Sequence, residues 1–203
     1  NPTLRLAPGG GVADTVVYLV DIQSGRSYVG NEIDSAYGRS VFALGASLER
    51  GSCGLVPYVQ LAAPMGSSLV VSSPIGSCPL RGVMHEGPDA GDIFHVALEG
   101  RGGQARADLF VPGPIDVTCD PDGGAGDAWV FVQRHPYHVI TGDDGGFRMA
   151  EVPPGVYRIA AWHAPVLVGF GADGKPRMGP PVMAQGTVTV RADHVSTIDL
   201  TLP

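Results

Sequence analysis

The stretch W-V-F-V-Q-R-H-P-Y-H-V-I-T-G-D-D-G-G-F-R-M-A-E-V-P-P-G-V-Y-R-I-A-A-W-H, residues 129–163, decides the fold class. Short apolar and β-branched runs are punctuated by glycine and proline, so it reads as strand, proline-marked corner, strand, tight turn, strand, Pro-Pro-Gly turn and strand. Asp144-Gly145 lies between Val139-Ile140-Thr141 and Phe147-Arg148-Met149, where the positive backbone angles of a tight hairpin turn suit Asp and Gly. Pro153-Pro154-Gly155 ends one strand and starts the next, because proline has no amide hydrogen for a central ladder. The signal is all-β.

Composition agrees. The 203 residues include 30 glycines and 18 prolines, yet 44% are hydrophobic, which fits many short strands joined by many turns rather than disorder. Thirteen basic against twenty acidic residues give a formal charge of -7, which argues against a phosphate-binding surface and so against nucleic acid as a partner. With no long apolar run and no signal-peptide pattern at Asn1, a soluble chain is expected, its targeting segment already removed if it had one.

Outward from the deciding stretch, residues 14–21 are apolar on both parities, which suits an inner strand. Further strands are expected over 41–44, 55–61 with Pro57 weakening its start, 69–72, 93–98, 108–111 and 115–119, with 72–82 as a loop. Over 93–98, Phe94, Val96 and Leu98 share a face opposite His95; over 115–119, Ile115, Val117 and Cys119 share one opposite Asp116 and Thr118. Residues 41–50 are the best of several poor helix candidates. Residues 164–181 are a Gly/Pro-rich loop too long for a simple turn. At the C-terminus, Val188 and Val190, then Ile198, Leu200 and Leu202, face inward.

The order H-P-Y at 135–137, T-x-x-D-G-x-F at 141–147, V-P-P-G-V-Y at 152–157 and W-H at 162–163 resembles a family of secreted bacterial proteins. These join a cupredoxin-like domain to a carboxypeptidase regulatory-like, or prealbumin-like, sandwich. The likeness covers about seventy residues well and the N-terminal part faintly. It implies two tandem β-sandwiches, a Greek-key cupredoxin-like domain at 1–134 and a prealbumin-like domain at 135–203, in an exported protein of the periplasm or cell envelope.

In that family an early loop carries D-P-x-x-H-N and a late loop C-D-x-H-P-W-M, the ligands of blue copper. Here the early loop keeps Pro74 but has Ser77 and Cys78 where His-Asn would fall, and Cys119-Asp120 runs into Pro121-Asp122-Gly123. The ligand set is broken, so no metal is expected; if one bound, Cys119, Cys78, His85 and His95 are its candidate ligands. Three cysteines without C-x-x-C spacing argue against a zinc knot. The resemblance implies instead a disulfide between Cys78 and Cys119 across the lost metal gap, with Cys53 the rival partner of Cys119.

Three other readings stand beside this one. His135, His138 and His163 offer three imidazoles for a metal, though corner and core hydrogen bonds explain them as well. Asp143-Asp144, Asp120, Asp122 and Asp127, with the serines at 67, 68, 72, 73 and 77, offer acid-base groups, but they sit in turns without a catalytic signature. The 164–181 loop is more apolar than solvent requires, with Val166, Leu167, Val168, Phe170 and Met178, and Met183 just beyond, which marks a partner surface or a cover over an edge strand. The leading expectation is a non-enzymatic binding or structural module for another envelope protein or a surface polymer. The alternative is a copper-binding cupredoxin for electron transfer or copper handling.

Overall fold

In a computed structural model of the chain, the residues described are 4–20, 22, 46–51, 54–119 and 128–203. They form an all-β protein without a helix. In chain order the strands are β1 (Thr15–Val20), β2 (Ser47–Gly51), β3 (Gly54–Val56), β4 (Val59–Ala62), β5 (Ser68–Ser73), β6 (Cys78–Met84), β7 (Gly91–Leu98) and β8 (Gly103–Asp108). After them come β9 (Gly113–Thr118), β10 (Ala128–Val132), β11 (His138–Ile140), β12 (Gly155–His163), β13 (Leu167–Phe170), β14 (Pro176–Met178) and β15 (Val182–Val190).

The chain divides into two compact units, one of Asn1 with residues 28–136 and one of residues 2–27 with 137–203. The later division falls between residues 136 and 137, and residues 2–27 belong to the second unit. β1 pairs with β11 through Val16↔Ile140 and Tyr18↔His138, and with β12 from Thr15↔His163 to Val20↔Arg158. A strand apolar on both parities finds its second neighbour only as the inner member of a sheet, and here that sheet is built from the C-terminal residues.

The first unit is a sandwich of a five-stranded sheet, ordered β4-β10-β9-β6-β7, and a four-stranded one, ordered β3-β2-β5-β8. Alternation puts one face of each inward. Leu48, Leu55, Leu69, Val71 and Ala105 from the smaller sheet meet Leu80, Met84, Leu98, Ile115, Val117, Val130 and Val132 from the larger in one buried core. Pro57 splits the expected 55–61 strand into β3 and β4, with a cis bond at Val56-Pro57. The expected 72–82 loop shrinks to a turn, because β6 already begins at Cys78. Of the expected 108–111 strand only Asp108 is in a ladder, as the last residue of β8, whose core contribution is the small Ala105 and Ala107. Residues 47–50 of the helix candidate are strand, and the 41–44 expectation lies outside the described residues.

The second unit is a four-stranded antiparallel sheet ordered β11-β1-β12-β15. Val17, Leu19, Ile159 and Ala161 form its core with Tyr137, and Phe147, Met149, Val152, Ile198, Leu200 and Leu202 pack onto it. The inward alternation expected for 188–202 is present, but 147–152 and 197–202 pack onto the core outside any ladder.

The residues of the deciding stretch act locally. The Thr141 hydroxyl accepts the Thr15 N–H (3.0 Å) and donates to the Val12 carbonyl (2.7 Å), fixing the entrance of β1. The turn closes through Gly142 N–H to Gly146 O (3.0 Å), and the Asp144 carboxylate accepts the Gly146 N–H (2.8 Å). The Tyr157 hydroxyl donates to the Pro153 carbonyl (2.9 Å), pinning the Pro-Pro-Gly corner to β12.

Candidate functional site

Adjacent strand ends bring Cys78, at the start of β6, and Cys119, just past β9, into a disulfide with α-carbons 5.6 Å apart. Cys78 is buried and Cys119 half-buried, in line with the inward parity of 115, 117 and 119. The rival partner Cys53 lies outside the described residues. Both bridged sulfurs are committed to each other, so neither is a thiolate ligand in this state.

His85 and His95 stand on the outer face of the five-stranded sheet, where the register lines up Val83, Asp116 and Trp129, and next to them Arg81 and Thr118. The His85 Nε2 and the Asp116 carboxylate are 2.8 Å apart, and the imidazole tilts against Trp129 with ring centroids 5.9 Å apart. Burial raises the nearby Tyr58 phenol to about 12; a hydrogen bond from Trp129 pulls it down and the Asp116 charge adds to the rise. Along the row, Arg81 donates two hydrogen bonds to Asp92 (2.6 and 2.8 Å) and His95 Nε2 lies 3.3 Å from the same carboxylate. Asp92 is thereby held below the usual carboxylate range, first by the Arg81 hydrogen bond and then by that from His95. Both histidines are thus paired to carboxylates. Parity alone places His95 and Asp116 outward; the position of Arg81, in the expected 72–82 loop, and the cross-strand neighbours require the register.

The junction histidines do separate work. His163 is buried with Nδ1 2.7 Å from the Ala164 carbonyl, which accepts the ring proton. His135 and His138 are half-buried, the latter on β11. Among the described residues no group of three or more His, Cys, Asp or Glu is arranged to hold a metal. Asp143 pairs with Arg5 (2.8 Å), Ser68 with Asp108 (2.6 Å), and Ser73 closes the turn to Gly76, whereas the buried Ser67 hydroxyl has no hydrogen-bond partner among the described residues. Asp120, Asp122 and Asp127 lie outside the described residues.

The expected 164–181 loop is a β-arm. β12 and β15 form one hairpin whose ladder stops at His163↔Val182, near Pro165, Pro180 and Pro181, and resumes as β13 and β14 with Leu167↔Met178 and Phe170↔Pro176. The tip closes through Gly171 N–H to Lys175 O (2.8 Å). Val168 (61% exposed) and Phe170 (69%) are the arm's most exposed apolar side chains, and the strand shifts register between Leu167 and Gly169. Val166, Leu167 and Met178 are half-buried, and Met183, on β15, is 49% exposed. Glycine-rich composition hid the strands, since Gly169 and Gly171 alternate with the apolar residues.

No protein-family model, curated protein or solved structure matches this chain.

Proposed function

We propose that this chain is a non-enzymatic binding module of an exported envelope protein, made of two tandem β-sandwiches that hold the β13–β14 arm against another envelope protein or a surface polymer. The first sandwich is read as cupredoxin-like, with the Cys78–Cys119 disulfide closing the gap that a metal bridges in the family it resembles. The second is read as prealbumin-like, completed by the N-terminal strand. The observation that carries the reading is the pair Val168 and Phe170, both more than half exposed on an arm that continues a nine-residue hairpin. Exposed apolar side chains on a stiff support are the usual form of a contact surface. A disulfide is in keeping with an oxidising compartment.

A photo-crosslinking side chain in place of Phe170 tests this. Added to the native envelope fraction, it is expected to give a saturable adduct with one component, lost when Val168→Ser is added and absent when the crosslinker replaces the exposed Arg106. Equal labelling from both positions, or none from either, overturns the proposal.

A further inference from the structure

The edge strand β15 differs from the other described edges. β3 and β11 are three residues long, β4 is four, β7 carries Asp92 and His95, and β8 carries Arg106 and Asp108. β15, V-M-A-Q-G-T-V-T-V, runs nine residues with no charge and no proline, the devices that normally keep sheet edges from pairing.

Its outer main-chain groups can be identified. Leu19 N–H donates to Tyr137 O, Thr141 N–H to Thr15 O, and Thr15 N–H to the Thr141 hydroxyl, so odd-numbered β1 residues address β11 and even-numbered ones address β12. With Val16↔Trp162 and Tyr18↔Ala160 as the bonded pairs, odd-numbered β12 residues address β15, where they meet Val182, Ala184, Gly186, Val188 and Val190. Met183, Gln185, Thr187 and Thr189 therefore point their N–H and C=O groups away from the sheet. The Ser196 hydroxyl donating to Thr189 O (2.7 Å) fits this direction. Among the described residues, no other hydrogen bond reaches these outward main-chain groups.

We propose that this edge pairs antiparallel with β15 of a second copy of the chain, about a two-fold axis at Gly186, joining two four-stranded sheets into one of eight. This register faces Gln185 with the partner's Thr187 and Met183 with the partner's Thr189, so every outward group has a counterpart, the Thr189 carbonyl using its second lone pair beside the Ser196 hydroxyl. On the other face Val182 meets the partner's Val190 and Ala184 the partner's Val188. A self-paired strand juxtaposes its own side chains, and because β15 is uncharged no like charges meet. Gly186 at the axis is fixed from below: a β-carbon there would come within 3.0 Å of Ile198 and Leu200. The inference rests on none of the reading of the β13–β14 arm.

Gln185 and Thr187 are exposed, so charges placed there leave the core untouched. Sedimentation equilibrium is expected to give a dimer for the full chain. Gln185→Lys with Thr187→Lys, and separately Gln185→Glu with Thr187→Glu, should each give a monomer with an unchanged far-ultraviolet circular dichroism spectrum. Mixing the two variants should restore a dimer containing one of each. A monomeric parent protein at its highest soluble concentration, charged variants that stay dimeric, or a mixture that fails to associate overturns the proposal.

Discussion

Gly145 has φ +76, and a β-carbon there would lie 2.5 Å from the Gly11 α-carbon and the Val12 nitrogen. Gly174, at the tip of the β-arm, has nearly the same φ, +75, with open space around it. Two alanine substitutions therefore separate backbone conformation from close approach. Gly174→Ala is expected to cost about 1 kcal/mol from the left-handed conformation alone. Gly145→Ala carries that cost plus the clash of two backbones and is expected to reach about 3 kcal/mol. Urea unfolding measures both, and equal values would contradict the Gly11–Gly145 contact. Tyr58 supplies a pH-dependent counterpart. Its phenol is raised to about 12, chiefly by burial, against about 10 in an unfolded chain. Between these values the unfolded chain releases a proton that the folded one retains, so stability is constant below about 10 and falls as pH climbs toward 12. Phenolate absorbance should show a late step that Tyr58→Phe removes.

Elements are legible where apolar residues run together or alternate. Thr15–Val20 follows from a run apolar on both parities, the end of β15 from the alternation of Val188 and Val190 with Thr187 and Thr189, and the turn at 142–146 from Asp144-Gly145. β8 escaped notice because Ala105 and Ala107 fill their core positions with little apolar contrast against Gln104 and Arg106. The start of β6 escaped because Pro79 and Gly82 look like loop. Pro79 is tolerated where β6 pairs with β7 but its ladder with β9 has not yet begun, that ladder starting at Arg81. Gly82 is needed because a β-carbon would occupy the place of the Phe94 ring. In sequence the arm looks like a loop because Pro165, Pro180 and Pro181 interrupt the hairpin it continues. The disulfide ties β6 to the end of β9 and closes a loop of 41 residues, so removing both cysteines as Cys78→Ala and Cys119→Ala is expected to cost about 4 kcal/mol. Chemical unfolding of the double variant, against the parent with and without reductant, checks the figure. No difference would mean that the cross-link does not restrain the unfolded chain.

At the scale of the whole molecule, the path of the chain was the part hidden from sequence. Residues near the N-terminus join the C-terminal unit, and the segment between builds the other, because the inner strand β1 finds its partners more than a hundred residues away. Local periodicity shows that a strand is inner without showing which sheet takes it. The same limit applies to the outer face of the five-stranded sheet, where His85, just past β6, meets Asp116 of β9 and Trp129 of β10. The functional reading turns on whether the paired sulfurs of Cys78 and Cys119 have replaced a metal. The visible absorption spectrum of the oxidised protein carrying Cys53→Ser, titrated with copper(II), tests this most directly. A binding scaffold closed by the disulfide gives no thiolate-to-copper band at any copper ratio. An intense band saturating at one copper per chain contradicts it.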